Sequence, residues 1–552
     1  MAQHKIMAIN QLTENPAVDL ALDTLKIGKQ ALVFANSKRS AEKTAEDIAD
    51  ELKANSPEHE RLSYEILNAL PKPTVQCERL AKCIRKGVAF HHAGLAHQQK
   101  ELIEENFRKG AIKIICCTPT LAMGVDLPSF RTILKDLRRF ASPRGMVWIP
   151  VLEYQQMAGR SGRPSYDKYG EAIAVANTEK DREDIYNRYI CGVPEEIYSK
   201  LAVEPALRMY VLSLIATEFV STRKELLDFF EKTFWAHQFR DMGKIEEIIS
   251  KVLCLLEEYE FIRITKQKNK NDGIKEKIKE RFRNEFTSAA EISDIETNEK
   301  IEPTELGGRA AQLYIDPLTA FKIIEGLKKA CSDEKAGKVD AFSFLSLIST
   351  QLEIRPFLRV RAKEQDIIEE RLAENEDKLI VEEPTMFDPD YDEFLDSVKT
   401  ALFFGAWIDE KDEQFILENF DIRPGEIMVK LNIADWLLYS AEEFAKLLKL
   451  HRVIKEILRT RTRLKYGIKE ELIPLVRLQG IGRARARKLY DHGIKDIGYI
   501  KKADIIGLSQ LIGKNIAINL KKQVGQEFDE EKIKVKENKR KGQISLMDYQ
   551  SI

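Results

Sequence analysis

The chain has 552 residues, 43% hydrophobic and 32% charged, with 88 Lys+Arg against 89 Asp+Glu and a net charge of −1. That balance supports roughly three to five domains with sizeable cores and excludes a mainly disordered chain. With so little net charge, affinity for nucleic acid has to come from local clustering. No apolar run approaches the roughly 18 to 20 residues of a membrane helix, and the start, MAQHKIMAINQLTENP, lacks a signal peptide's apolar stretch. A soluble cytoplasmic protein with no membrane partner is therefore expected. The seven cysteines are scattered and form no C-x-x-C pair, which suggests neither a disulfide framework nor a metal site.

Residues 1–185 alternate strand and helix signals, the pattern of a parallel α/β sheet covered by helices. ALVFA (31–35) is a buried-strand run, followed by the polar turn NSKRS and a helix from Ala41. KGVAFHHAG (86–94) is a second strand, QQKELIEENFRKG (98–110) an amphipathic helix stopped by Gly110, and AIKIICCTPT (111–120) a third strand. VLEY (151–154) reads as a short strand and GEAIAVAN (170–177) as the last one. From residue 186 helical periodicity takes over, in LRMYVLSLIATEF (207–219) and KELLDFFEKTF (224–234). Residues 264–300 are rich in Lys, Glu and Asn and read as a mobile insertion or a lone solvated helix. Helical structure resumes at 304. Segment 452–488 holds twelve Lys+Arg against three Glu, a net of +9, and the tail is again basic at 532–541.

The strongest chemical signal is QQMAGRSGRP (155–164). Arg160 and Arg163 stand among glycines, where a permanent, forked cation can approach phosphoryl oxygens. Read alone, such a turn is better explained by arginines pairing with surface carboxylates. CTPTLAMGVDLP (117–128) adds the hydroxyls of Thr118 and Thr120, a turn at Gly124 and the carboxylate of Asp126 at a strand end. HHAGL (91–95) closes the preceding strand, and LVFANSKRSAE (32–42) opens the sheet.

Together these segments resemble motifs IV, IVa, V and VI of the second RecA-like domain of a superfamily-two helicase of the Ski-two-like branch. Within that branch they are most similar to the archaeal fork-repair DNA helicases related to the helicase part of DNA polymerase theta. The resemblance continues beyond them. LAVEPALRMYVLSLIA and LDFFEKTFWA are similar to a winged-helix domain. ELGGRAAQLYIDPLTA, FSFLSLIST, LEIRPFLRVR and IRPGEI…ADWLLYSAEEFA are similar to a helical ratchet, and LVRLQGIGRARARKLYDHGI to a helix-hairpin-helix. The layout implied is a second RecA-like domain (1–185), winged helix (186–303) with the insertion 264–300, ratchet (304–442), helix-hairpin-helix domain (443–525) and basic tail (526–552).

The resemblance implies that Gln156, Arg160 and Arg163 face ATP and Mg²⁺ across a cleft, Arg163 as arginine finger, with Gly124 and Asp126 beside them. Asp126 stands where relatives often carry Asn. Thr118 and the HHAGL loop, including His92, would touch single-stranded DNA. Residues 137–151, with a Ser-Pro-Arg-Gly turn containing Arg144, fall at the strand-separating hairpin, an ordinary surface hairpin being the alternative. Lys399 and Trp407 lie on a helix that would hold passing bases, although Phe403, Phe404 and Trp407 equally suit a core. Gly480, Gly482, Arg483 and Arg485 would meet DNA phosphates; because Arg483, Arg485 and Arg487 cannot share one helix face, one or two should pair with carboxylates. Gln543, Leu546 and Tyr549 have part of the spacing of a sliding-clamp-binding peptide, with Gln550 in place of its second aromatic.

No G-x-x-x-x-G-K-[ST] loop and no acidic DE-type box occurs in the 552 residues. The first RecA-like domain is therefore expected from elsewhere, in cis on a longer gene or in trans. Three functions are compatible: the C-terminal portion of an ATP-dependent 3′-to-5′ helicase acting on single-stranded and forked DNA in repair or recombination, near the nucleoid; a non-catalytic DNA-binding protein on the same scaffold; or an RNA helicase of the branch. The motor reading requires the two arginines to stand at an open surface, not turned inward onto carboxylates.

Overall fold

A computed structural model describes residues 9–53, 56–70, 72–141, 145–163, 167–201, 203–266 and 299–526. Arg144, Gln543, Leu546 and Tyr549 lie outside the described residues, as does most of the charged insertion. The chain divides into two units, residues 1–198 with 412–430, and residues 199–411 with 431 onward.

In chain order the described strands are β1 (Ala31–Phe34), β2 (Val88–His91), β3 (Ile114–Cys117), β4 (Arg131–Leu134), β5 (Arg138–Ala141), β6 (Gly145–Trp148), β7 (Glu171–Ala174), β8 (Ile262–Lys266) and β9 (Glu299–Pro303). The first unit is built on a parallel sheet of order β2-β3-β1-β4-β7. Strands β1 to β4 are buried at every position, which is why β1, β2 and β3 read as largely continuous apolar runs instead of alternating ones. Ile48, Ile66, Leu80, Ile103 and Phe107, from the four helices Lys38–Asp50, Pro57–Leu67, Val75–Ile84 and His97–Arg108, join them in one core. Each such side chain contributes about 1.5–3 kcal/mol of burial.

Three local readings are corrected. The first helix after β1 starts at Lys38, not Ala41, because the Ser37 side chain caps it by accepting from the Ser40 N–H. VLEY is the start of the helix Val151–Ala158. The Glu195 carboxylate accepts the N–H groups of Val151 at 2.6 Å and Leu152 at 3.2 Å, which are donors a helix start leaves without internal partners. Strand β4 was not expected at all. It opens with Arg131, 1% exposed, whose guanidinium reaches Asp23 at 2.8 Å and Glu171 at 2.6 Å and also bonds the Leu20 carbonyl and Thr24 hydroxyl.

Between β4 and the helix Val151–Ala158, β5 and β6 pair antiparallel, Arg138 opposite Trp148 and Phe140 opposite Met146. The hairpin expected at 137–151 is therefore present as two paired strands.

Among its described residues the second unit is helical apart from β8 and β9, which pair antiparallel with Ile264 opposite Ile301. These strands close the two ends of the charged insertion. Helices Glu204–Ala216, Arg223–Glu231, Phe234–Phe239 and Met242–Glu258 precede them. The segment from Ile468 to Val524 has a hydrophobic cluster of its own, including Leu475, Leu489, Leu508 and Leu520. No helix among the described residues is long and apolar enough to cross a membrane.

Candidate functional site

Because the five strands of the main sheet in the first unit are parallel, their carboxyl ends share one edge of that sheet, where ligands of such sheets bind. The loop after β3 carries Thr118, half-buried, whose hydroxyl is 2.9 Å from that of Thr120, and then the short helix Thr120–Gly124. The arginine turn is zipped onto the far end of the β3–β4 connection, beside the amino end of β4: Ser129 N–H donates to the Arg160 carbonyl at 2.9 Å and Gly162 N–H to the Ser129 carbonyl at 2.6 Å. Gly162 has φ +91°, and a Cβ on Gly170 would stand 2.2 Å from the Gly162 nitrogen. The turn thus needs both glycines, one for its conformation and one for backbone contact.

The two arginines are held differently. Arg160 donates through Nη2 to the Ala122 carbonyl at 2.5 Å and lies 3.4 Å from the exposed Asp126 carboxylate, so it joins the turn to the Gly124–Asp126 loop. Arg163 donates to Asp167 at 2.7 Å and to the Gln30 side chain at 2.7 Å. Asp167, side chain 1% exposed, also takes Lys29 at 2.6 Å. Hydrogen bonding from Arg163, and then from Lys29, outweighs burial and holds the Asp167 carboxyl down at about 2. One carboxylate faces two cations, so this cluster keeps a net positive charge, and Arg160 and Arg163 retain side-chain exposures of 23% and 21%. Gln156 is exposed on the helix before the turn.

His92 is not at the surface. It is fully buried; its Nε2 is 3.0 Å from Glu42, its Nδ1 accepts the Gly94 N–H at 3.1 Å, and its ring stacks on Phe90. Glu42 is also bonded by Gln76 at 2.9 Å and Arg79 at 2.6 Å, with Arg423 at 3.5 Å. Burial pushes the Glu42 carboxyl up, but the hydrogen bonds from His92 and Gln76 outweigh it and bring it to about 2; burial drives His92 below its ordinary range. His92 therefore shapes the HHAGL loop from inside.

In the second unit Lys399 is 3% exposed, with its ammonium 2.6 Å from Glu364 and donating to the Arg359 carbonyl at 2.9 Å. Trp407 is 8% exposed and its indole N–H donates to the Leu464 carbonyl at 2.8 Å. Phe403 and Phe404 are fully buried. Trp407 thus takes the core position that its sequence context left open, and neither Lys399 nor Trp407 projects from the surface. In the terminal turn Gly480 has φ +82° and Gly482 precedes the helix Arg483–Asp491. A side chain at either glycine would meet nothing within 4 Å. Arg485 is exposed and bonds the Gly480 carbonyl at 3.0 Å, while Arg483 bonds the Lys411 carbonyl and lies over the Trp407 ring. Arg487 pairs with Glu410 at 2.8 Å and Glu471 at 2.9 Å, the carboxylate pairing expected of one arginine in the series.

Residues 72–165 match the helicase conserved C-terminal domain, and residues 342–467 match domain 4 of an archaeal helicase. The ATP-dependent DNA helicases Hel308 of Methanococcus vannielii and Pyrococcus abyssi are each 38% identical to the chain, over 94% and 96% of it and 68% of their own lengths. That of Caldivirga maquilingensis is 31% identical over 96% of the chain and 69% of its own length. The chain belongs to the Hel308 helicase family. It spans about two thirds of the length of these Hel308 relatives.

Within this Hel308-family chain, several residues around the arginine turn escaped sequence reading. Gln30 and Asp167 hold Arg163 from two separate places in the chain, and Lys29, next to Gln30, bonds the same Asp167. On the helix that leads into the turn, Tyr154 stacks on Tyr189 and Glu153 takes Arg139, while Glu195 accepts from its first N–H. Of these only Asp167, four residues after Arg163, stands at a spacing that could have drawn notice.

Proposed function

We propose that the chain is the C-terminal portion of an ATP-dependent 3′-to-5′ DNA helicase of fork repair or recombination. Arg160, Arg163 and Gln156 complete the site of an ATP, with its Mg²⁺, that a first RecA-like domain binds in cis or in trans. The observation that carries this is the arginine turn: two guanidinium groups in a partly exposed, net-positive cluster, Arg160 held to the Thr118–Pro128 loop through Ala122 and Asp126 and Arg163 held by Asp167 and Gln30. Such a donor set suits the oxygens of a transferring phosphoryl group. Gly124 and Asp126 adjoin it, and Thr118 is the neighbouring group for the sugar-phosphate backbone of single-stranded DNA. Hairpin β5–β6 presents Phe140 and Met146, cross-strand partners 69% and 56% exposed, as an apolar wedge that can cover an opened base pair. The helices and paired strands of 204–303 act as the winged helix, 304–442 as the ratchet, and Gly480, Gly482 and Arg485 as the phosphate-facing turn of the terminal helix-hairpin-helix.

One observation favours a second reading, a non-catalytic DNA-binding protein: Arg163 already carries a carboxylate partner. The two separate when the chain is mixed with a separately produced first RecA-like domain and DNA-stimulated ATP hydrolysis is measured. Hydrolysis that falls by about 10³-fold or more in Arg163→Ala supports the motor; no hydrolysis under any such reconstitution supports the second reading.

A further inference from the structure

We infer that Tyr189 is a positioning residue that locks the strand-separating hairpin to the helix leading into the arginine turn, so that the two move as one body. This rests on the motor reading above. A two-stranded hairpin is marginally stable by itself, and β5 is mostly exposed. Its direction must therefore be set at its roots. Those roots are Leu137 and Ile149, joined by a backbone bond of 3.0 Å from the Ile149 N–H to the Leu137 carbonyl.

Tyr189 sits against both. It is 2% exposed, and its hydroxyl donates to the Ile149 carbonyl at 2.8 Å and lies 3.5 Å from the Leu137 carbonyl. The same ring stacks on Tyr154 of the helix Val151–Ala158, centroids 4.8 Å apart, and meets Trp148 of β6 edge-on at 6.1 Å. Burial pushes its phenol up to about 12, so it remains a donor. The residue comes from Tyr186–Ile190, a π-helical turn, a geometry that is rare and concentrates at functional places.

Three further contacts tie the same parts together. The Arg139 guanidinium of β5 holds the Glu153 carboxylate of the helix at 2.8 and 3.1 Å. Arg138 and Arg188 lie over the Trp148 ring at 4.0 and 5.6 Å. Glu195, beyond the π-turn, caps the first N–H groups of the helix. Hairpin, helix and the 186–195 segment are thus joined pairwise, and Tyr189 touches the other two at once. A displacement of the arginine turn on nucleotide binding is carried to the hairpin through this ring and its hydroxyl.

The test uses the full chain completed by a first RecA-like domain, reading ATP hydrolysis and forked-duplex opening in the same samples. Tyr189→Phe keeps the ring and removes the bond to the root. Its kcat and KM for ATP should stay within about twofold, while base pairs opened per ATP fall about five- to tenfold, the scale of one lost hydrogen bond. Arg139→Gln should show the same split. Hydrolysis and opening falling in equal proportion, or neither changing, overturns the inference. If the wild-type pair hydrolyses no ATP, the motor reading fails by itself, and the lock is judged on the chain alone by hydrogen exchange. Faster exchange over both 137–149 and 151–158 in Tyr189→Phe, with β1 and β3 unchanged, supports it; unchanged protection in those two segments overturns it.

Discussion

His92, Glu42, Arg163 and Asp167 show how far residue identity carries. The HHAGL and GRSGR segments are conspicuous in the sequence, but which of their side chains faces outward depends on partners far along the chain. Glu42 draws His92 inward, and Asp167 with Gln30 orients Arg163. The His92–Glu42 pair has a consequence for acid stability. Burial lowers the folded-state value of His92 below its ordinary 6.5, so the unfolded chain binds the proton first. The stability this confers is present above that value and is lost as pH falls through it. Glu42, brought from 4.5 to about 2, loses its contribution in the window between those values, again on acidification. The urea midpoint should therefore fall from pH 7.5 to 5.5, and His92→Gln should flatten part of that slope; an unchanged slope would remove His92 from the account.

At the scale of elements, β4 and the helix Val151–Ala158 were misread for opposite reasons. An arginine and a threonine begin β4, so its apolar run is too short to notice, yet Arg131 is buried because Asp23 and Glu171 come from other elements to neutralise it. VLEY has strand-like composition, and the Glu195 carboxylate, 44 residues from Val151, stabilises its first helical turn. Arg131→Ala empties a buried site and leaves the two partly exposed carboxylates without their shared cation, and should cost about 3 kcal/mol in urea denaturation. The junction near Trp407 offers a second check. Gly467 ends the helix His451–Tyr466 at φ +63°, and a Cβ there would stand 2.8 Å from the Trp407 ring. Gly467→Ala therefore combines a strained backbone with overpacking and should destabilise by about 1–3 kcal/mol.

Over the whole molecule, a net charge of −1 coexists with a +9 segment at 452–488, and binding to DNA should reveal where the cations are free to act. Arg485→Ala should lower the slope of log affinity against log salt by about 0.7 for single strands. Lys399→Ala should leave that slope alone while destabilising the fold by about 1–3 kcal/mol, because its charge is already matched by Glu364. Equal slope changes in both variants would show that Lys399 turns outward to DNA. The local signals in the sequence were enough for the parallel sheet, the hairpin strands at 138–148, the helical second half and the glycine–arginine turn. These rest on apolar runs, turn residues and short spacings, which act over a few residues and survive in one dimension. Tertiary structure alone decided that His92, Lys399 and Trp407 face inward, that Arg163 leans on Asp167, and that Tyr189 joins hairpin to helix. Each depends on a partner or a packing surface brought close only by folding, and the direction of a polar or aromatic side chain follows whichever partner satisfies it at least cost in desolvation.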